Sequence, residues 1–323
     1  MADLTGVPVL VTGATGFIGS HVVDALLDEG AQVHALTSTV SSVYPQRLLG
    51  VRDRITLHEG SLTDRSAMDA VADAVRPRVV LHLGAYTHVG KSWQRVDECV
   101  QVNVQGTVNL LQALAPYGYD TFVYTGTSEI YGDVEVPFRE DGPVNPISPY
   151  SVSKYAGERY CRMFHQGKGW PIVMVRPFNA YGPAQSPDRV IPEIIVRGLR
   201  GQQLRMTQGR QTREFNYVTD LARGFVAAAL RGQPGRLYNL GCGEEVSMAD
   251  LATTLLRLMG DPIEAELGAL PDRPTEIWRM HADATRAREE LQWESQVSLE
   301  EGLRRTIEWY RAELARDRSS FSV

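Results

Sequence analysis

The sequence predicts an α/β fold: a doubly wound parallel sheet with a smaller, discontinuous C-terminal lobe. Three observations support this prediction. Short runs of apolar, β-branched residues alternate with helical patterns through the first 176 residues, a glycine-rich turn follows the first run, and the regularity ends after Arg176. Strands that alternate with helices imply right-handed crossovers and a parallel sheet that is covered on both faces.

The predicted strands are short apolar runs bounded by turns or helical patterns. They are Val9–Thr12, Val33–Leu36, Ile55–His58, Val79–Leu83, Phe122–Thr125 and Ile172–Val175, followed later by Leu237–Leu240, which returns to the sheet. Between the first two strands, apolar residues at helical spacing predict a helix that ends near Gly30. A longer helix is predicted from about Val96 to Leu114 because its apolar residues recur on one side.

Changes in regularity along the chain predict the domain organisation. Residues 1–176, with a returning segment at about 213–241, are predicted to form the sheet domain. Residues 177–212 read as a loop-rich cap over a cleft, because prolines and glycines interrupt them. Residues 242–315 read as helices joined by a proline-rich loop, Pro271–Pro274, and complete the smaller lobe. Residues 316–323 are predicted to be a frayed tail.

Composition narrows the class of protein. The formal net charge is −6 with acids and bases interspersed, whereas a nucleic-acid-binding surface usually shows a basic stripe. No run approaches the roughly 18 apolar residues of a membrane span, and no signal-peptide pattern is present. Cys99, Cys161 and Cys242 lack the paired spacing of a metal site. We therefore expect a cytoplasmic protein with no metal and with neither a nucleic-acid nor a membrane partner.

The glycine-rich turn predicts a dinucleotide site. In VLVTGATGFIG (9–19), Gly13, Gly16 and Gly19 come directly after a strand and open a helix. Glycine permits the tight turn and lets the backbone approach a pyrophosphate, while the helix N-terminus offers free N–H groups and a partial positive charge. The strand–turn–helix context that the motif requires is present, so we expect NAD or NADP to bind here.

The end of the second strand bears on the choice between these two cofactors. An acidic residue there would bind the ribose 2′-hydroxyl of NAD and repel a 2′-phosphate. This chain instead has Leu36-Thr37-Ser38-Thr39, without an acid. Thr37 and its neighbours could accept a 2′-phosphate, aided by Arg47, or Thr37 could simply end the strand. The cofactor is therefore left open, with a lean towards NADP.

A tyrosine–lysine pair predicts proton-transfer chemistry. In SPYSVSKYAGE (148–158), Tyr150 and Lys154 lie four residues apart and share one face of a predicted helix. Tyrosine has a pKa near 10, so it acts as a base near neutrality only if a nearby cation stabilises the phenolate. Lys154 is expected to supply that charge, to which oxidised nicotinamide adds another, and to hold the cofactor ribose. The preceding strand ends in Thr127, Ser128 and Glu129, where open α/β sheets place their ligands.

These residues and five further motifs together resemble one family. The motifs are HLGAYTHVGKSW (82–93), NVQGTVNLL (103–111), RPFNAYGP (176–183), REFNYVTD (213–220) and DRPTE (272–276). In this order they are similar to the extended short-chain dehydrogenase/reductase family, specifically its NAD(P)-dependent nucleotide-sugar epimerase/dehydratase branch. The resemblance covers nearly the whole chain. It implies a Rossmann fold, a nucleoside-diphosphate sugar as the substrate and a homodimer.

The resemblance also implies roles for individual residues. Thr127, Tyr150 and Lys154 match the family's catalytic triad. Further cofactor contacts are expected at Phe17, Ile18, Ser61, Leu62, Leu83, Ala85 and Thr87. Substrate contacts are expected at His88, Ser92, Asn103, Asn179, Arg213 and Arg273, and the two arginines match diphosphate ligands, for which a forked guanidinium is suited. The alternative for His88 is a structural role, and the alternative for Asn103 is helix packing.

The triplet Thr127-Ser128-Glu129 bears on the reaction. It resembles the GDP-mannose 4,6-dehydratase type, departs from the Asp-Glu of dTDP-glucose 4,6-dehydratases, and is also found in UDP-glucuronate decarboxylases. The sequence hypothesis is a nucleotide-sugar 4,6-dehydratase that recycles NADP or NAD. Tyr150 would take the C4 hydroxyl proton during a transient oxidation, Glu129 the C5 proton, and Ser128 or a water would protonate the hydroxyl that leaves C6. The alternatives are a decarboxylase, a C4 epimerase and a non-enzymatic NADP-binding regulatory protein.

Overall fold

The computed structural model describes residues 3–38, 47–272 and 276–319, and within these residues a seven-stranded parallel sheet forms the centre of the molecule. Its strands are β1 (Pro8–Thr12), β2 (Gln32–Thr37), β3 (Ile55–Glu59), β4 (Val79–His82), β5 (Thr121–Thr125), β6 (Ile172–Pro177) and β11 (Leu237–Leu240). They lie in the order β11-β6-β5-β4-β1-β2-β3. The order reverses at β1, and a ligand crevice is expected outside the carboxyl ends of the strands at such a point.

Short strand pairs lie outside this sheet. The strands are β7 (Asn179–Tyr181), β8 (Leu204–Arg205), β9 (Thr212–Arg213), β10 (Phe215–Tyr217), β12 (Val246–Ser247) and β13 (Ala265–Glu266). They pair as β7 with β10, β9 with β12 and β8 with β13. All six follow β6 along the chain: four precede the returning strand β11, and two lie between β11 and the last two helices.

Helices cover both faces of the sheet and build the rest of the chain. They are α1 (Phe17–Asp28), α2 (Arg65–Val75), α3 (Val89–Ser92), α4 (Val96–Cys99), α5 (Gly106–Leu114), α6 (Pro149–Lys168), α7 (Val190–Leu199), α8 (Val218–Arg231), α9 (Met248–Met259), α10 (Thr285–Leu291) and α11 (Leu299–Ser319). A π-helix, Val100–Gln105, joins α4 to α5. Each predicted strand is therefore present. The predicted helix from Val96 to Leu114 is continuous, with the π-helix between its two α-helical parts.

Three apolar cores correspond to these layers. One lies on the face of the sheet that α1 and α8 cover, and another lies on the opposite face, beneath α2, α5 and α6. The third joins α7, α9 and α11. Phe215 and Tyr217 belong to this third core, so the start of the returning segment 213–241 packs with the smaller lobe, while α8 and β11 pack with the sheet. Burying the apolar faces of these elements is the main term that stabilises the arrangement.

Two of the predicted irregular regions are helical in the structure. The cap 177–212 contains α7, because Ile191, Ile194 and Ile195 recur at helical spacing and are buried in the third core. The prediction of a frayed tail from residue 316 is wrong as far as Ser319, where α11 ends. Pairs of acidic and basic residues four apart, such as Glu301 with Arg305, favour that continuation. Residues 273–275 of the proline-rich loop lie outside the described residues.

Candidate active site

One cleft of about 1400 Å³ lies beside the carboxyl ends of the sheet strands and brings most of the predicted site residues together. Those that line it are Gly13, Gly16, Phe17, Ile18, Gly19, Thr37, Ser61, Leu62, Leu83, Ala85, Thr87, His88, Thr127, Ser128, Glu129, Tyr150, Lys154, Asn179 and Arg213. They come from the ends of β1, β2, β3, β4, β5 and β6 and the segments that follow them, and from the smaller lobe. Chain segments that are far apart in sequence therefore share one crevice.

The glycine turn has the close-packed geometry of a diphosphate site. Gly13 has φ +69°, and a Cβ there would lie 2.7 Å from the backbone nitrogen of Gly84. A Cβ at Gly19 would lie 2.0 Å from the carbonyl oxygen of Gly13. Gly16 caps α1 without a side-chain hydrogen bond, and the first turn of the helix carries no acidic residue. The positive end of α1 thus meets the cleft as bare backbone, which fits the dinucleotide predicted here.

The neighbouring strand end carries the residues that bear on the 2′ position of the cofactor. Thr37 is buried, and its hydroxyl lies 3.4 Å from the carbonyl oxygen of Ser38. Arg47 lines the same part of the cleft, and its guanidinium donates to the carbonyl oxygens of Thr15 at 3.1 Å and Ala184 at 3.2 Å. The guanidinium therefore lies beside the glycine turn, while residue 39 lies outside the described residues.

Tyr150 and Lys154 lie in the first turns of α6, whose start is strongly specified. Ser148 caps the helix by accepting a hydrogen bond from the backbone of Ser151, the reciprocal bond from the Ser148 backbone to the Ser151 side chain is also present, and Pro149 occupies the first turn. Tyr150 is 9% exposed and Lys154 is 2% exposed, and both line the cleft. The predicted pair is therefore buried at the site and does not face solvent.

Burial shifts the pKa values of both Tyr150 and Lys154. Burial raises the pKa of Tyr150 to about 12, a hydrogen bond with Thr127 and the charge of Arg189 lower it, and the charge of Glu129 raises it. Burial lowers the pKa of Lys154 to about 8, and its ammonium lies 4.7 Å from the ring centroid of Tyr124. In the protein alone, the loss of hydration therefore outweighs the nearby charges at the phenol. That Lys154 lowers the phenol pKa together with a bound oxidised nicotinamide stays a prediction.

The triplet after β5 lies directly beside that phenol. Thr127 caps the short 3-10 helix Ser128–Ile130 and accepts a hydrogen bond from the backbone of Glu129 at 3.3 Å. Ser128 is buried, and its hydroxyl donates to the sulfur of Met280 at 3.6 Å. Glu129 lines the same cleft as Tyr150, and its negative charge raises the pKa of the phenol. A potential proton acceptor and two hydroxyls thus converge with Tyr150.

The diphosphate side of the cleft holds an arginine that already has partners. Arg213 donates through Nη1 to the carbonyl oxygens of Ile277 at 2.6 Å and Thr212 at 2.8 Å, and through Nη2 to Glu276 at 2.6 Å. The Arg213 side chain is 15% exposed and that of Glu276 is 6% exposed. Asn179 donates to the carbonyl oxygen of Glu214 at 3.1 Å. An incoming diphosphate would therefore have to compete with a carboxylate for Arg213.

Among the described residues, two predicted substrate residues are not placed at the cleft surface. Ser92 is fully buried and donates to the carbonyl oxygen of Val89 at 2.6 Å. Asn103 is buried in the π-helix, where it accepts from the backbone of Tyr86 at 2.8 Å and donates to Ser153 at 2.9 Å. These internal bonds give both side chains structural roles in place of the substrate contacts expected. Arg273 lies outside the described residues.

Near the predicted site residues, the structure places two charged residues and a methionine that the sequence analysis did not single out. Arg189, at the start of α7, lines the cleft and acts on the pKa values of Tyr150 and His88. His88 itself lies 3.6 Å from Asp188. Met280 is buried between Ser128 and Asn179, with its sulfur 3.5 Å from the Asn179 amide nitrogen. No local pattern marks these positions in the sequence, where Arg189 follows Asp188 in a proline-rich stretch.

A metal site and a membrane-spanning helix are two further features that would bear on function. Among the described residues, no group of three or more His, Cys, Asp or Glu side chains is placed to hold a metal ion. In the same part of the chain, no helix combines the length and apolar character needed to cross a membrane.

Known proteins are similar to this chain over nearly its full length. The sequence model of the family described as GDP-mannose 4,6 dehydratase matches residues 10–306. A dTDP-glucose 4,6-dehydratase from Streptomyces griseus is 35% identical over 312 residues, which are 93% of each chain. Among solved structures, a UDP-glucose 4-epimerase from Thermotoga maritima with UDP-glucose is 32% identical with a TM-score of 0.89, covering 95% of this chain and 99% of that one.

A second solved structure links the fold to a dehydratase. The dTDP-glucose 4,6-dehydratase from Streptomyces venezuelae, crystallised with NAD, is 30% identical with a TM-score of 0.89 and covers 95% of this chain and 98% of that one. These findings confirm the predicted fold class, family and type of enzyme. The chain belongs to the GDP-mannose 4,6-dehydratase family, within the extended short-chain dehydrogenase/reductases that act as nucleotide-sugar epimerases and dehydratases.

Proposed function

We propose that the protein is a nucleotide-sugar 4,6-dehydratase that converts a nucleoside-diphosphate hexose into its 4-keto-6-deoxy derivative. The observation that carries this proposal is the position of Glu129. Glu129 lines the cleft with Tyr150, and its charge acts on the phenol pKa, so the cleft offers a second proton acceptor besides the one that oxidation at C4 requires. The curated dehydratase relatives support the same reaction type.

The dinucleotide is assigned to the glycine-turn end of the cleft. Gly13, Gly16 and Gly19 leave room for its diphosphate, and the N-terminus of α1 complements the negative charge. Lys154 is buried in the same cleft, one helical turn after Tyr150, and is assigned to the nicotinamide ribose. A bound nicotinamide would supply the hydride acceptor for oxidation at C4 and the hydride donor for reduction at C6, so that no external oxidant would be consumed.

The proton transfers are assigned to residues of this chain. Tyr150 accepts the proton of the C4 hydroxyl, and Thr127 orients that hydroxyl through the hydrogen bond it shares with the phenol. The resulting ketone acidifies the neighbouring C5–H, so Glu129 removes the C5 proton as general base. The C6 hydroxyl then leaves as water, with Ser128 or a bound water supplying its proton, and the protonated Glu129 returns its proton to C5 when C6 is reduced. Because Tyr150 has a pKa of about 12 in the protein alone, the cationic cofactor must contribute to its ionisation.

A C4 epimerase is the second candidate. It is favoured by the similarity to the Thermotoga maritima UDP-glucose 4-epimerase, whose TM-score of 0.89 equals that of the dehydratase structure. An epimerase would use Tyr150 and Lys154 but has no need for a carboxylate at C5. Glu129 therefore decides between the two candidates.

The test is mass spectrometry of purified protein incubated with GDP-mannose, dTDP-glucose, UDP-glucose, UDP-N-acetylglucosamine and UDP-glucuronate. A dehydratase gives a product lighter by one water, an epimerase gives an isomer of unchanged mass, and a decarboxylase releases carbon dioxide from UDP-glucuronate. Glu129→Gln should abolish water loss, by at least about a thousandfold, while binding of the dinucleotide is retained. The matched control is Glu135→Gln, at an exposed position outside the cleft residues, and it should dehydrate at the native rate. Full dehydration by Glu129→Gln would contradict the proposed role.

The finer features of the protein are part of the same proposal. We assign cofactor binding to residues 1–176 with most of 213–241, and the nucleotide sugar to 177–212 and 242–315. NADP is favoured over NAD because the β2 end offers hydroxyls and Arg47 in place of an acid. Comparing NADH and NADPH affinities tests this preference. The three cysteines are free among the described residues, in keeping with a cytoplasmic location.

A homodimer is proposed from exposed apolar side chains on two neighbouring helical segments. Val96 and Val100 are 47% and 52% exposed, and on α6 Val152 and Met163 are 52% and 49% exposed. Exposed apolar side chains clustered on adjacent helices are typical of protein–protein interfaces. The expected partner is a second copy of this chain, which is also what the family resemblance implies. Sedimentation of the purified protein at micromolar concentration tests this oligomeric state.

A further inference from the structure

A buried histidine outside the proposed proton transfers lies directly behind the glycine turn. His82 is the last residue of β4, is 1% exposed, and has both ring nitrogens in hydrogen-bond contact. Its Nδ1 lies 2.7 Å from the hydroxyl of Thr12, the residue before Gly13, and its Nε2 lies 3.0 Å from the hydroxyl of Thr107 on α5. The ring therefore bridges the phosphate-binding turn to a helix on the other side of β4.

The neighbouring hydrogen bonds fix the direction of every proton in this bridge. The Thr107 hydroxyl donates to the carbonyl oxygen of Asn103 at 2.7 Å, so its oxygen accepts from the His82 Nε2–H. Burial, with a smaller effect of the Lys154 charge, lowers the pKa of His82 to about 3, so the ring is neutral and Nδ1 is an acceptor. Nδ1 then accepts the Thr12 hydroxyl proton.

The chain of bonds continues at both ends into the proposed site. At one end, the Thr12 oxygen accepts the backbone N–H of Gly84 at 2.9 Å. A Cβ at Gly13 would lie 2.7 Å from the backbone nitrogen of Gly84. The bond between Thr12 and Gly84 therefore joins the two segments where they are closely packed. At the other end, Asn103 bonds Ser153, and the Ser153 hydroxyl donates to the carbonyl oxygen of Tyr150 at 2.8 Å. A single buried network thus runs from the glycine turn to the helix of the catalytic pair.

We propose that His82 is a positioning residue for the dinucleotide: through Thr12 it holds the glycine turn against Gly84 and in register with the helix that carries Tyr150 and Lys154. A fully satisfied network of this kind has one low-energy arrangement, because any rotation leaves a buried donor or acceptor without a partner. The inference rests on the proposed cofactor site but not on the sugar reaction, so it can fail or hold independently of the dehydratase assignment.

The test is titration of the purified protein and its variants with NADH and with NADPH, followed by nicotinamide fluorescence. Thr12→Val keeps the volume but removes the hydroxyl, and it should weaken the binding of the preferred cofactor about tenfold. Thr12→Ser keeps the hydroxyl and should stay within about twofold of the native affinity. The matched control is Thr306→Val, because Thr306 is fully buried and bonds only the carbonyl oxygen of Gly302 within α11. It should lower the melting temperature without changing cofactor affinity.

A double-mutant cycle separates positioning from simple loss of stability. His82→Phe should also weaken cofactor binding about tenfold, and His82→Phe with Thr12→Val should be little worse than either alone, since both changes break the same bridge. The proposal is overturned if Thr12→Val binds the cofactor like the native protein, or if the two single effects multiply in the double variant. Failure of the native protein to bind either dinucleotide would instead remove the cofactor site itself and the proposed function with it.

Discussion

The two ends of the cleft prepare for their ligands in opposite ways. At the glycine turn, the positive end of α1 is bare backbone, and the network behind it satisfies its own donors and acceptors. At the sugar end, the cation that matches a diphosphate ligand, Arg213, is already neutralised by Glu276 and by two carbonyl oxygens. A diphosphate can therefore dock on the first end as it stands, but has to displace a carboxylate at the second.

This difference has an energetic consequence. A pre-organised anion site costs little rearrangement on binding, so a cofactor recycled within each turnover can stay bound. An arginine that must give up a buried ion pair first loses part of its binding energy to that exchange. The substrate end should accordingly bind more weakly and release its product more readily than the cofactor end.

The largest expected effect breaks the pre-organised end. Gly19→Ala places a Cβ 2.0 Å from the carbonyl oxygen of Gly13, so the turn must shift away from the diphosphate, and cofactor affinity should fall by at least about a hundredfold. Gly167→Ala is the matched control, because a Cβ at that position of α6 meets no atom within 4 Å. Fluorescence titration with NADH and NADPH measures both variants. Native affinity in Gly19→Ala would show that the cofactor does not rest on this turn.

A smaller effect at the same end of the cleft is the pH dependence of stability that His82 causes. The pKa of His82 is lowered from 6.5 to about 3 by burial, so between these values the unfolded chain binds a proton that the folded protein does not. Stability should therefore fall as pH drops through that window, by about 1.4 kcal/mol per pH unit relative to His82→Phe, and this term should be absent above about pH 7. Urea unfolding of both proteins from pH 4 to pH 8 measures the difference. Parallel curves below pH 6 would mean that His82 is protonated in the folded state.

The smallest expected effect concerns the substrate end. Glu276→Gln removes the carboxylate that occupies Arg213, so GDP, UDP or dTDP should bind about fivefold more tightly, measured by isothermal titration calorimetry. Glu308→Gln makes the same change in net charge at an exposed position of α11 and should leave affinity unchanged. Weaker binding by Glu276→Gln would show that this carboxylate contacts the nucleotide and does not compete with it.

The fold and the cofactor end could be read from the sequence because their signals are local. Strand runs, the spacing of Gly13, Gly16 and Gly19, and the four-residue spacing of Tyr150 and Lys154 each arise within one turn or one helix. The assignments of Ser92 and Asn103 to the substrate were less successful, because whether a polar side chain faces a cleft or an internal partner depends on packing between distant segments. α7 was missed because prolines and glycines around it outweighed its apolar spacing.

By itself, the sequence determined the α/β architecture, the family and the residues that gather around the crevice, since periodicity and motif spacing encode which backbone forms where. Only the tertiary structure decided their states. Burial raises the pKa of Tyr150 in the protein alone, a carboxylate 63 positions away neutralises Arg213, and a histidine at the end of β4 ties the glycine turn to α5. Desolvation and long-range hydrogen bonds arise only when separate segments pack together, so no local pattern in the chain could report them.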